Sequence, residues 1–327
     1  MKRRQTLKVL ASAVPPLSLG GWASAQPDYP AKPVRLLVGV APGGAADVFA
    51  RLYAQKVGEA LQRSFVVENR AGAGGTLAAD VVAKAAADGY TLLVSAPTVM
   101  VVAPYLYKKL PFDPTRDFEP VALLSGGPLV LVVHASVPAN NVAELLALAK
   151  GKPGQLAFGS GGQGTASHLT AEMFASATGI QLLHSPYKGD GQAVTDLVGG
   201  QVQMMFTALS LVDPQIKAGR LKLLAVTSKI RLPSIPQVPT VDESGVQGFE
   251  SLGWIGLFAP AKTPAAIVQK LALAWNKVRQ QPDVEAHFSA MGMGLLRFNS
   301  PQEFANFQRS EVGRWSQVIK AAGVQPE

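Results

Sequence analysis

The 327-residue sequence predicts an α/β protein of two domains, each a mainly parallel sheet flanked by helices, joined by a hinge and facing one another across a central cleft. Three observations predict this. Apolar runs rich in Val, Leu and Phe alternate with helix-period segments. Glycine-rich loops stand where such a run gives way to a helix. Two proline-studded stretches divide the chain.

The first series starts with a buried strand over 34–40, the loop Ala41-Pro42-Gly43-Gly44-Ala45-Ala46, and a helix from about Asp47 to Leu61 whose Phe49, Leu52, Tyr53, Val57, Ala60 and Leu61 share one face. A strand over 65–68, the loop Asn69 to Gly75, a helix over 76–87 and a strand over 90–95 complete a βαβαβ pattern. Pro111, Pro114 and Pro120 then interrupt the alternation, as a connection between halves would. The second series has strands over 129–133, 155–158, 182–184, 202–206 and 221–227, with helices over 141–150, 165–177, 190–198 and near 213–218. Pro233, Pro236 and Pro239 mark a second crossing, followed by a strand over 254–258 and helices over 263–281 and 302–322. The division read from this is 26–125 plus 229–327 for a discontinuous first domain and 126–228 for a second inserted into it.

Residues 1–25 differ in kind from the rest. Lys2, Arg3, Arg4 and Lys8 form a basic start without an acid, an apolar stretch runs from Val9 to Trp22, and Ala23-Ser24-Ala25 offers a small-x-small site, so a signal peptide cleaved before Gln26 is expected. Arg3-Arg4 also fits twin-arginine export, and the general route stays open beside it. The segment carries four cations, which leaves +4 of the formal +8 on the mature chain. Those charges are scattered singly, which gives no nucleic-acid footprint. The absence of cysteine excludes disulfides, thiolate metal sites, a cysteine nucleophile and a lipidated N-terminal cysteine. A free, monomeric periplasmic protein is expected.

In parallel α/β sheets ligands meet the carboxyl ends of strands, where glycine lets backbone N–H groups approach and the helix N-terminus favours an anion. Several glycine loops here occupy that position. Gly159-x-Gly161-x-x-Gly164 matches a dinucleotide fingerprint in spacing, but His184 and Ser185 stand where a ribose-binding acid belongs. Gly151-Lys152-Pro153 lacks the hydroxyl residue of a phosphate-binding loop, and Ser160 follows Phe158 where a nucleophile elbow needs glycine. The four histidines form no metal-type pair. No cofactor, no metal and no catalytic residue is therefore expected. Asp47 reads as a helix cap or a ligand contact, Tyr187 as a residue that closes over a solute or packs in the hinge, and Lys188 as a carboxylate contact or a solvated lysine.

Taken together, several segments resemble the Bug family, the periplasmic receptors of tripartite tricarboxylate transporters. They are Val34 to Asp47, Val66 to Gly75, Asp88 to Leu93, Leu106 to Asp113, Gly159 to Leu169, Pro186 to Gly189, Leu224 to Ser228, Val238 to Thr240 and Trp254 to Pro264. The resemblance implies a hinge-closing fold like that of type II periplasmic binding proteins, which hands a small carboxylate to membrane permease subunits. It places Ala41, Pro42, Gly43, Gly44 and Asp47 on one wall of the cleft, and Ser160, Gly161, Gly164, Thr165, His168, Tyr187 and Lys188 on the other. Gly74, Ser95 and Thr207 complete the candidate set. Ala45, Ala46 and Thr207-Ala208 depart from hydroxyl and acidic residues common in relatives, which favours a carboxylic or hydrophobic solute over an amino acid. The alternatives carried alongside are an exported sensory adaptor and a carboxylate-acting hydrolase.

Overall fold

The computed structural model describes residues 29–321, Gly44 excepted. The signal-peptide reading of 1–25 and the assignment of Gly44 to the site both lie outside the described residues.

Two five-stranded sheets form the frame. The first contains β1 (Val34–Val38), β2 (Phe65–Asn69), β3 (Thr91–Ser95), β4 (Phe118–Pro128) and β10 (Leu252–Pro260), in the order β2-β1-β3-β10-β4. The second contains β5 (Val130–His134), β6 (Ala157–Ser160), β7 (Leu183–Pro186), β8 (Met204–Thr207) and β9 (Leu221–Val226), in the order β7-β6-β8-β5-β9. In each sheet one strand runs against its neighbours: β10 against β3 and β4, and β5 against β8 and β9. That strand is in both cases the one that enters from the other sheet. The two units therefore share one plan, the mainly parallel arrangement expected of a two-domain binding-protein fold.

Helices cover both faces, which is why the parallel strands are nearly continuous apolar runs. Leu36 and Val38 face α1 (Ala45–Leu61) and α8 (Ala265–Arg279), where Phe49, Tyr53 and Trp275 pack with α9 (Pro282–Ala290). Leu37 and Leu93 face α2 (Thr76–Ala83), α3 (Ala103–Leu106) and α10 (Pro301–Ala321), around Trp254, Phe304 and Trp315. The second sheet is covered by α4 (Val142–Gly151) and α5 (Ala166–Thr178) on one face, and by α6 (Asp190–Val198) and α7 (Leu209–Lys217) on the other. Asn141 caps α4 by accepting from the Glu144 N–H at 2.9 Å, and the Glu144 carboxylate accepts from the Asn140 N–H at 2.7 Å, a reciprocal cap.

Three features differ from the sequence reading. The strand β4 begins at Phe118, inside the stretch read as a connection, because it lies at the sheet edge, where Pro120 and Pro128 cost fewer ladder bonds. The segment after β9, which the sequence reading gave to the first unit from residue 229, lays its side chains on the second sheet. Leu232 and Val238 join one of that sheet's clusters, and Val241, Val246 and Phe249 join the other. Backbone pairing fastens it there, with Val226 N–H donating to Pro239 O and Val241 N–H to Val226 O, both at 2.9 Å. The predicted helix over 263–281 also stops at Arg279, and Pro282 opens a separate helix.

Candidate functional site

The candidate residues gather at the carboxyl ends of the parallel strands of both sheets. Ser95 is the last residue of β3, Ser160 of β6 and Thr207 of β8. On the first wall, the loops that follow β1 and β2 touch backbone to backbone. A β-carbon on Gly39 would lie 2.7 Å from Gly75 Cα, so only glycine permits the approach. Ala41, Pro42 and Gly43 are exposed at the tip.

Asp47 is 2% exposed and spends its carboxylate entirely on holding this loop. It accepts from the Gly43 N–H at 2.9 Å, from Arg51 Nε at 2.9 Å and from Asn69 Nδ2 at 2.8 Å. Asn69 also donates to Val40 O at 3.0 Å, which ties the end of β2 to the end of the β1 loop. Burial by itself would raise the Asp47 pKa, but the bonds from Arg51, Gly43 and Asn69 hold it below the ordinary value. The side chain thus fixes the shape of the wall rather than offering a free acid.

On the second wall the glycine loop folds onto its own side chains. Gly161 N–H donates to Ser167 Oγ at 3.0 Å, Gly162 N–H to Ser160 Oγ at 3.2 Å, Gly164 N–H to His168 Nδ1 at 3.1 Å, and Thr165 N–H to Gly162 O at 3.3 Å. The Thr165 hydroxyl caps α5 by accepting from the His168 N–H at 3.4 Å. Beneath the loop, Phe158, His184 and His168 form a stack, with the two imidazoles 4.1 Å apart and His184 Nε2 2.7 Å from Ser160 Oγ. His168 has its pKa pushed down to about 4 by burial and by the neighbouring His184, and burial lowers His184 too. Both rings are neutral near pH 7. The bond from Gly164 then places the His168 proton on Nε2, and the 3.7 Å approach of that atom to Glu172 is no ion pair at this pH. Asp190 accepts from Ser167 Oγ at 2.7 Å, and burial raises its pKa despite bonds from Ser167 and Gly161.

The walls meet at Gly164. Its φ of +72° is left-handed, and a β-carbon there would run into Leu106 Cδ1 of the first unit. Tyr107 stands next to Gly74, with its hydroxyl 3.0 Å from where a β-carbon on that glycine would lie. The structure therefore unites both walls except at two places. Tyr187 turns toward its own unit, packing near Gly159 with its hydroxyl toward Asp196, rather than over the opening. Lys188 is exposed and has no hydrogen bond or ion pair with the described residues. Thr207 is fully buried, and its hydroxyl has no partner among the described residues.

Sequence reasoning missed Arg51, Asn69, Leu106, Tyr107, Ser167, His184 and Asp190 as parts of this construction. The four-residue spacing of Asp47 and Arg51 on one helix was a usable signal. Asn69, Leu106, Tyr107 and Ser167 lie inside the segments that carry the family resemblance, but nothing local shows what they touch, and His184 and Asp190 are brought in from remote segments.

The family model described as tripartite tricarboxylate transporter family receptor matches residues 49–324. The chain belongs to that family. BugT of Bordetella pertussis is 36% identical over 296 residues, 90% of each protein. Rpa4515 of R. palustris, solved with adipate, superposes with a TM-score of 0.84 at 34% identity, covering 92% of this chain and 100% of that one. MatC of Rhodopseudomonas palustris, with bound malate, gives 0.79 at 33% identity, covering 89% and 100%. The protein is accordingly a solute-binding receptor rather than an enzyme, and the family is one of periplasmic receptors that serve membrane transporters.

Proposed function

We propose that this receptor binds a small organic acid, carrying carboxylates and no amino group, between the loops at Ala41–Gly43, Gly74, Ser95, Ser160–Thr165 and Thr207, and delivers it to the permease subunits of a tripartite transporter. The observation that carries this reading is the state of the acids at the site. Asp47 and Asp190 are both committed to internal hydrogen bonds, so neither is free to hold an ammonium group. The first N–H groups of α5 and the buried Thr207 hydroxyl are donors suited to an anion. The adipate and malate held by the two relatives support the same class of solute.

Closure is assigned to the strands where the chain changes sheets. Thr227 Oγ1 accepts from the Leu129 N–H at 2.8 Å and lies 3.1 Å from Leu129 O and 2.5 Å from Ser251 O, which gathers both crossings and the end of β9 at one side chain. These bonds support a hinge at Leu129, Thr227 and Ser251, with a second unit proposed to span 130–250. Export by a cleavable signal and action as a monomer complete the proposal.

A thermal-shift panel of mono-, di-, tricarboxylic and aromatic acids tests it, since a ligand at a hundredfold excess over its dissociation constant adds about 2.7 kcal/mol of stability. At least one acid raises the melting temperature if the reading is right. A blank panel, or tight binding of aspartate without any dicarboxylate, overturns it.

A further inference from the structure

The turn that follows α9 touches both units. Met293 packs on the cluster of α1, α8 and α9, and Leu296 on the cluster of the opposite face of the same sheet, whereas Leu295 packs on the cluster of α6 and α7 in the second unit. Gly126 O of β4 accepts from the Gly294 N–H at 2.9 Å and from the Leu296 N–H at 3.4 Å. Because β4 is an edge strand with β10 on its inner side, these bonds put the turn on the free edge of the sheet. A β-carbon on Gly292 would lie 3.3 Å from Leu232 Cδ1 and 3.4 Å from Leu209 Cβ, so the backbone of the turn rests on the second unit as well.

This contact lies behind the crossings. In the order of the two sheets, the candidate loops follow β1, β2 and β3 in the first unit and β6 and β8 in the second, while the chain passes between units through β4, β5, β9 and β10. The turn stands beyond β4, on the far side of the crossings from those loops. A rotation about the crossings that brings the loops together therefore draws Leu209 and Leu232 away from Leu295. Leu209 opens α7 two residues after Thr207, so the wall of the cleft and the surface behind it move as one piece. The two units meet here at a seam rather than in a shared core, because a hollow of about 140 Å³ runs between Leu232 and Ser234 of the second unit and Phe288, Met293 and Leu295 of the first, and close-packed interiors keep few such voids.

We propose that the turn 292–297 is a strut that resists closure of the cleft, with Leu295 a positioning residue that lowers the affinity for the solute without touching it. The inference rests on the hinge-closing reading given above. Parting the seam returns apolar surface to water, and the closed fraction of the receptor falls accordingly. Apparent affinity scales with that fraction, so a weaker strut means tighter binding.

Two variants test it. Leu295→Ala removes the contact, and Ser234→Trp wedges the hollow from an exposed position on the second unit. The chain has no cysteine, so Val66→Cys and Leu183→Cys, at exposed positions on the outermost strands β2 and β7, can carry spin labels on opposite sides of the cleft. Pulsed electron paramagnetic resonance without any solute should show shorter distances between the labels in both variants than in the parent. Calorimetry with adipate as the probe should show its dissociation constant lowered about fivefold or more in both. Unchanged or longer distances in both variants overturn the strut, as does a lower melting temperature with neither distance nor affinity altered, which is the mark of a merely structural contact. If no acid of the thermal-shift panel binds, the carboxylate reading fails, and shorter distances in the variants still uphold the strut.

Discussion

The two walls of the site hold equivalent loops by different chemistry. On the first, a buried carboxylate gathers a backbone N–H, a guanidinium and an amide, so the loop after β1 is shaped by charge-assisted bonds. On the second, neutral imidazoles and hydroxyls accept the backbone N–H groups of the loop after β6, and one acid, Asp190, supports it through Ser167. Both solutions satisfy donors that a glycine loop exposes. They differ in which protonation event undoes them, so pH separates the walls.

The largest expected effect is on the second wall. A histidine with folded pKa about 4 and ordinary value 6.5 binds its proton first in the unfolded chain, so its contribution is complete above pH 6.5 and is lost as pH falls toward 4. For His168 this amounts to about 3 kcal/mol between pH 7 and pH 4. Glu172 and Asp190, raised by burial, act in the opposite sense, so the comparison of variants isolates the histidine. Urea unfolding across that range should show a shallower pH dependence in His168→Gln than in the wild type. Equal slopes would remove the distinction between the walls.

Next in size is Asp47→Ala, which leaves the loop N–H and Asn69 without their acceptor and should cost about 2 kcal/mol in the same unfolding assay. Because its pKa is depressed, Asp47 contributes above the ordinary aspartate value and loses that contribution only as pH falls below it. The penalty of Asp47→Ala should therefore be constant from pH 7 to about pH 5. A penalty that shrinks within that interval would show that the first wall shares the titration of the second.

Gly164→Ala probes the contact between the walls. Left-handed backbone costs a non-glycine residue about 1 kcal/mol or more, and the new methyl group also meets Leu106. A double-mutant cycle with Leu106→Ala should recover the steric part and leave the backbone part. Additivity of the two changes would deny the contact.

The smallest effect on stability, within about 0.5 kcal/mol of wild type, is expected for Thr207→Val, since its hydroxyl already lacks a partner among the described residues. The same variant should weaken binding of the carboxylate found by thermal shift. A marked loss of stability without loss of affinity would make Thr207 part of the scaffold and remove it from the site.

Much of this was legible in the chain. The βαβαβ alternation, the glycine loops at strand ends and the two crossings are local patterns, and they placed Ser95 at the end of a strand and Ser160 and Thr207 just beyond one, where the strands in fact extend to include them. Asp47 was singled out as a cap or a ligand contact, but its hydrogen-bond partners were not, because Asn69 lies on another strand. The segment 229–250 was misplaced for a related reason. Its prolines announce a crossing, whereas its attachment to the second sheet depends on Val241, Val246 and Phe249 finding a core that only the folded chain supplies.

By itself, then, the sequence determined the fold class and the family and singled out the loops at which a solute is proposed to bind, since periodicity, turn residues and contiguous motifs are properties of neighbours along the chain. Tertiary structure alone decided which donors those loops keep free. Hydrogen-bond partners such as Ser160 with His184, and a buried hydroxyl such as that of Thr207, which has no partner among the described residues, are fixed by distances between residues remote in sequence, and a buried polar group is judged by what surrounds it in space.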